Sequence, residues 1–208
     1  MPDAETWSAR YDLGSIPWDL GRAHPELAAR LADDVTLGIG RVGSVLVPGA
    51  GTGHDAAAFA AAGWQTTALD IAPAAEPALR ARLEDVDADV VIGDALGFRP
   101  ERLFDLVFDH TFFCALDPDA RPEFGAMADR VLSDFGSVVS IVFPLGKPAE
   151  HGGPPWGFVP SDISEVLGSG FELVESSPEA KIPGRRWPHV WARWKRARLE
   201  PDLRSAAK

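Results

Sequence analysis

Cysteine is all but missing from this chain. The single one, Cys114, rules out an internal disulfide. No apolar run approaches the length needed to cross a membrane. The opening residues Met1-Pro2-Asp3-Ala4-Glu5 are acidic and hold no signal-peptide core. These features predict a cytoplasmic protein with no membrane partner. Basic residues are scarce: 20 Lys and Arg stand against 31 Asp and Glu, a net charge of −11. A phosphate backbone would be repelled by such a surface, so no nucleic-acid partner is expected. The five histidines are scattered singly, and no Cys or His pair has ligand spacing. No metal site is expected. Internal repeats and long linkers are absent too.

What remains is an ordinary globular composition. The 208 residues, 46% hydrophobic and 25% charged, fit one domain with a full core. We expect that domain over residues 1–198, with a segment of its own at 1–23 and a loose polar tail at 199–208. A monomer is the default expectation. Of the seven tryptophans, most lie toward the two ends of the chain.

The stretch Val45-Leu46-Val47-Pro48-Gly49-Ala50-Gly51-Thr52-Gly53-His54-Asp55 carries the most information. An apolar run ends in glycines at every second position and opens into the alanine-rich run 56–62. Asp70 then ends the next apolar run. The order is strand, glycine turn, helix, strand, carboxylate. Glycines permit a tight turn and close approach to a ligand. The N–H groups of a helix start attract a negative group. A carboxylate at the tip of the second strand can accept from both hydroxyls of a ribose. The unit reads as a site for an adenosine-containing cofactor; the plainer alternative is a turn that only joins strand to helix. Dinucleotide sites favour G-x-G-x-x-G. Here the pattern is G-x-G-x-G, and six residues after Gly49 stands Asp55, which would face a pyrophosphate unfavourably. S-adenosylmethionine has no phosphate and suits the turn better.

Periodicity extends the pattern. Pro25 suits the first turn of a helix whose apolar face is Leu27, Leu31 and Val35. Strands are predicted near 44–48, 65–70, 89–92, 104–109, 137–143, 171–176 and 190–195. Helices are predicted near 54–62, 75–83, 120–133 and 160–168. Residues 144–159, rich in proline and glycine, read as a long loop. The fold class is α/β: a doubly wound, mostly parallel, seven-stranded sheet with an antiparallel last strand. In such sheets ligands sit beyond the carboxyl ends of the strands, where Gly49–Gly53, Asp70, Gly93-Asp94-Ala95 and Asp109-His110 fall.

Several motifs, in order, resemble the thiopurine S-methyltransferase family with its halide and thiol methyltransferase branch. They are Trp7-x3-Tyr11-x2-Gly14-x2-Pro17-Trp18-Asp19-x-Gly21, then Val47-Pro48-Gly49-Ala50-Gly51-Thr52-Gly53-His54-Asp55, then Leu69-Asp70-Ile71 and Gly93-Asp94. The run from Phe104-Asp105 through Asp109-His110-Thr111-Phe112-Phe113-Cys114 to Leu116 follows, with Phe143-Pro144-Leu145 and Gly152-Gly153-Pro154-Pro155. The resemblance implies a class I S-adenosylmethionine-dependent methyltransferase acting on a small molecule. It implies that Trp7, Tyr11 and Trp18 close over the cofactor. Gly49 would touch its methionine part, within the loop of Ala50, Gly51 and Gly53. Asp70, with Ile71, would meet the ribose, and Asp94 and Ala95 would border the adenine. Asp109 and His110 would complete the set. His110 stands where relatives often have tyrosine, and Trp156 replaces a smaller aromatic.

Methyl transfer from a sulfonium is an in-line displacement, so the protein mainly positions the acceptor and excludes water. The expected acceptor is a thiol or another soft nucleophile, such as a halide, selenium or tellurium species. A thiolate needs no strong base. Trp18 and Tyr11 could stabilise the sulfonium by cation–π attraction or could simply pack on the sheet. His110 is the candidate catalytic residue, as a base toward a thiol, or it only hydrogen-bonds neighbouring backbone. Cys114 lies in an apolar run and is expected to be buried and inert. His54 would hydrogen-bond at the turn. Lys147 and His151 would gate the pocket or stay solvated. Two other functions fit the glycine unit: a nucleotide-dependent oxidoreductase, and a protein that binds the cofactor without catalysis.

Overall fold

Local rules place most of the helix starts. The computed structural model describes residues 3–197, so the expected tail at 199–208 lies outside the described residues. Helix α1 (Ala4–Asp12) begins where the Asp3 side chain accepts a hydrogen bond from Thr6 N at 2.8 Å. Helix α2 (Pro25–Asp33) has Pro25 in its first turn, with His24 Nδ1 accepting from Glu26 N. Strand β1 (Ser44–Pro48) runs into the glycine turn, and α3 (His54–Ala61) leaves it from Gly53, whose φ is +85°. Then come β2 (Gln65–Asp70), α4 (Glu76–Leu83), β3 (Ala88–Ile92) and β4 (Phe104–His110). Helix α5 (Arg121–Val131) passes directly into β5 (Leu132–Val142). Helix α6 (Pro160–Leu167) starts at a proline and stops at Gly168. Strands β6 (Phe171–Ser176) and β7 (Val190–Arg196) finish the described chain.

The seven strands form one sheet in the order β3-β2-β1-β4-β5-β7-β6. The first five are parallel, and β7 is antiparallel to both neighbours. Strand periodicity splits the core into two layers. Val45, Val47, Leu106, Phe108, Val139, Ile141 and Trp191 face α2, α3 and α4, with Leu27, Phe59, Trp64 and Leu79. Leu46, Val107, Val138, Val142, Ala192 and Trp194 face α5 and α6, with Phe124, Met127, Val131 and Ile163.

Three expectations need correction. Val35 lies beyond the end of α2 and is 37% exposed, so it takes no part in an apolar face. The helix expected over 120–133 ends at Val131, because Leu132 already pairs with Phe104; the register then shifts before Leu106 meets Ser137. Residues 1–23, read as turn-rich, contain α1. None of α1's residues is fully buried, so no core-facing stripe marked it in the sequence.

Because the strand order reverses between β1 and β4, a crevice opens beyond their carboxyl ends. The N-terminal segment lies across it. Thr52 Oγ1 donates to Asp19 Oδ2 at 2.6 Å, and Arg185 Nη2 donates to Trp18 O at 2.7 Å. Trp18 also packs edge-on against Trp7 and Tyr11, with ring centroids 5.3 and 5.9 Å away.

Candidate active site

The crevice holds a cavity of about 230 Å³ with mostly apolar walls. Gly49, Leu69, Asp70 and Ile71 form one wall, continued by Asp94 and Ala95. Trp7, Tyr11 and Trp18 cover it, with Arg10 and Pro17. The lining continues with Thr111, Phe112, Cys114 and Ala115, and with Phe143, Pro154, Pro155 and Arg185.

Each polar group at the first wall is fixed by its element. Asp70 ends β2 and is 5% exposed. Its Oδ2 accepts from Gly51 N at 2.8 Å and its Oδ1 from Ala72 N at 2.9 Å. Each oxygen keeps a second lone pair, so the carboxylate can still accept from a diol. Burial raises its pKa against the pull of those amides. Gly49 has φ +63°, and a Cβ there would come within 3.1 Å of the Phe112 ring. Backbone conformation and close packing both require glycine there.

Not every residue expected at the site reaches this cavity. Ala50 and Gly51 border a second, smaller pocket of about 40 Å³. Gly53 borders neither; its φ starts α3, and it packs beside Leu79. Asp109 is fully buried, and its carboxylate accepts from Phe112 N, Phe113 N and Ser140 Oγ. It holds the turn after β4 and lines neither pocket. His110 likewise does not line the main cavity. Its Nδ1 lies 2.6 Å from Asp55 Oδ2, and its ring borders the second pocket. Asp55 faces back toward His110 and accepts from His24 N at 2.7 Å. Burial alone would raise Asp55's pKa, but His110 and the hydrogen bonds pull it below the ordinary value.

Of the other expectations, Cys114 lines the cavity and the rest fall near it. His54 Nε2 approaches Asp19 Oδ1 at 3.5 Å. Lys147 Nζ donates to Gly152 O and Pro155 O, which pins the loop that supplies Pro154 and Pro155. His151 is exposed and packs against Trp187. Trp156 N donates to Cys114 O at 2.7 Å, tying the same loop to the cavity wall. Cys114 is 2% exposed, donates to Thr111 O at 3.4 Å, and has its pKa raised by burial.

Two residues of the site were not singled out by the sequence, Thr111 standing only as one member of a longer motif. Thr111 is a non-glycine residue with φ +70°, a conformation that persists only where the surroundings enforce it. Arg185 lies in a loop far along the chain. Its guanidinium stacks 4.9 Å from the centre of the Phe143 ring, and burial lowers its pKa.

The model of the family described as thiopurine S-methyltransferase (TPMT) matches residues 2–186. The chain belongs to the thiopurine S-methyltransferase family. "Thiocyanate methyltransferase 1" of Arabidopsis thaliana is 36% identical over 201 residues, covering 91% of this chain and 84% of that protein. "Probable thiol methyltransferase 2" of the same plant is 31% identical over 197 residues, covering 92% and 84%. Among solved structures, the N-methyltransferase NodS of Bradyrhizobium japonicum, in complex with S-adenosyl-L-homocysteine, superposes with a TM-score of 0.75 at 19% identity. That match covers 95% of this chain and 100% of NodS, and it supports the class I methyltransferase fold. This member of the thiopurine S-methyltransferase family is an S-adenosylmethionine-dependent methyltransferase. Among its described residues no helix is long and apolar enough to cross a membrane.

Proposed function

We propose that this methyltransferase transfers the methyl group to a small, soft, anionic nucleophile: a thiolate, a halide or a pseudohalide, with selenium and tellurium species as further candidates. The observation that carries this reading is an apolar cavity lined by a half-buried guanidinium, Arg185, with Arg10 as a second cation on the covering segment. In a low-dielectric cavity a guanidinium attracts an anion and repels a protonated amine. Names of relatives agree: two are described as acting on thiocyanate or thiols.

In this reading S-adenosylmethionine, a co-substrate supplying an electrophilic methyl group, takes the first wall. Gly49 meets its methionine part, Asp70 and Ile71 its ribose, and Asp94 and Ala95 its adenine. Trp7, Tyr11 and Trp18 exclude water over it. The acceptor takes the space bounded by Phe112, Cys114, Phe143 and Arg185. Cys114 shapes that wall as an inert thiol. All the walls come from one chain, so a monomer suffices. We take residues 3–197 as one methyltransferase domain. We also keep the cytoplasm as its setting, since an unpaired buried cysteine requires no oxidising compartment.

Initial rates with S-adenosylmethionine and a panel of thiols, iodide, thiocyanate and primary amines test the proposal. Methylated thiols or halides are expected, with amines inactive. Arg185→Met should raise KM for thiocyanate and iodide about tenfold or more, the scale of a lost charge-assisted contact. Methylated amines, or unaltered KM values in the variant, would remove Arg185 from acceptor recognition. The oxidoreductase reading gains nothing from this site.

A further inference from the structure

Three of the five histidines meet behind the cavity. His24 precedes α2, His110 ends β4 and His189 precedes β7. The His24 ring centroid lies 4.9 Å from that of His110 and 4.7 Å from that of His189, edge to face in both cases. A carboxylate holds each outer ring: Asp55 Oδ2 lies 2.6 Å from His110 Nδ1, and Glu26 Oε2 lies 3.1 Å from His189 Nε2.

These partners assign the tautomers. Carboxylates accept, so His110 carries its proton on Nδ1 and His189 on Nε2. His24 Nδ1 accepts from Glu26 N, so its proton is on Nε2. Burial, then the neighbouring His110 and His189, push the His24 pKa down to about 3 and keep the ring neutral. What remains is one donor, His24 Nε2–H, and two acceptors, His110 Nε2 and His189 Nδ1. The three rings border one void of about 10 Å³, room for about one water. A water accepts once and donates twice with this set. Arg185 and Phe143 border both this void and the main cavity. Thr111, next to His110, borders the main cavity and the 40 Å³ pocket that His110 also borders.

We propose that Asp55–His110, a water in this void, and His189–Glu26 form the exit path for the proton that a thiol acceptor loses. The proposal rests on the acceptor class proposed above. The acceptor's S–H bond breaks as its sulfur takes the methyl group, and the departing thioether keeps the electron pair of the bond it loses. The proton enters the void on the side that Phe143 and Arg185 share with the main cavity and reaches His110 Nε2 through the void's water, and Asp55 stabilises the resulting cation. The void's water relays it to His189 Nδ1, and the Nε2 proton of His189 passes to Glu26. That carboxylate has its other oxygen against Arg30, and its side chain is 18% exposed, so the proton leaves to solvent. Around His110 the charged or titratable groups are Asp55 and His54 from α3, Asp19 and Arg22 from the segment before α2, Asp109 from its own strand, His24 and Glu26 at α2, and Arg185 and His189 from the stretch before β7. His110, His189 and Glu26 do not line the main cavity and act by moving a proton.

Iodide carries no proton, and this separates the relay from simple packing. Rates with a weakly acidic alkyl thiol and with iodide are measured across pH for the full-length protein, His110→Gln and His189→Asn, with thermal melting to check each fold. The thiol-to-iodide rate ratio is expected to fall about 100-fold in His110→Gln, the scale of lost acid–base assistance. It should fall about tenfold in His189→Asn, and most steeply at low pH. Equal losses on both acceptors overturn the relay alone. A wild-type protein that turns over neither acceptor overturns the acceptor class and the relay with it. A second readout needs no turnover: ¹⁵N imidazole spectra of the protein without ligand. They should show His110 protonated at Nδ1 and Asp55→Asn disturbing that state. His110 protonated at Nε2 instead would overturn the relay.

Discussion

Asp70 uses one carboxylate both to hold the glycine loop and to face the cavity. Replacing it by asparagine should weaken S-adenosylmethionine binding by about 2 kcal/mol, the scale of a charge-assisted hydrogen bond, as measured by calorimetry. Its pH dependence has a definite sign. In the proposed complex the ionised form would accept from the ribose, and burial raises the pKa. Affinity should therefore fall on acidification before an ordinary aspartate titrates, near 3.9, while Asp70→Asn stays flat. His24 makes a stability prediction. Its pKa in the fold, about 3, lies below the 6.5 of a free histidine. The unfolded chain takes up that proton first, so this stability is complete above pH 6.5 and is lost as pH falls toward 3. The slope should be up to about 1.4 kcal/mol per pH unit. Denaturant melts at several pH values, with His24→Gln as the shallower comparison, measure it. At this scale Asp70 was legible because its spacing from the glycines is local. The histidine cluster was not: positions 24, 110 and 189 are neighbours only after folding. Asp109 and His110 end β4 as expected but do not line the main cavity, since strand position does not say which turn amide or carboxylate a side chain will find.

At the scale of elements, the N-terminal segment and the glycine turn make contrasting predictions. The segment through Trp18 and Asp19 is fastened to Thr52 and Arg185 and contributes no residue to either buried core layer before Leu27. Deleting residues 1–20 should cut turnover about 100-fold or more, the effect of an open and mispositioned site, while the thermal transition survives. Trp7 and Trp18 line the cavity, so cofactor binding should change tryptophan fluorescence in the full chain and not in the truncated one. A truncated protein with full activity would remove the segment from the mechanism. Gly53→Ala acts the other way. At φ +85° an alanine costs about 1–2 kcal/mol, and its Cβ also presses on the tip of Leu79. Stability should fall with little change in the cavity walls. Strands β1, β2 and β4 were legible because buried parallel strands are short apolar runs. Helix α1 escaped because its aromatic residues cover a cavity instead of a core. The start of β5 escaped because helix and strand join with no intervening turn residue.

For the whole molecule, the sequence spoke clearly about architecture and more faintly about acceptor. Alternating strands and helices, with one antiparallel strand near the end, define the sheet. Its reversal between β1 and β4 puts the glycine loop, Asp70 and the turn after β4 around one crevice. The proposed acceptor chemistry rests on Arg185, a loop residue brought against Phe143 and the Trp18 carbonyl only by the tertiary fold. The central claim is that this methyltransferase alkylates a soft anion under that guanidinium. The most direct test gives the enzyme S-adenosylmethionine with a ¹³C-labelled methyl group and an equimolar mixture of an alkyl thiol, iodide and a primary amine, and locates the label by NMR. The account predicts label on sulfur and iodine, with none on nitrogen. Label on nitrogen, or none transferred while the cofactor binds, would contradict it.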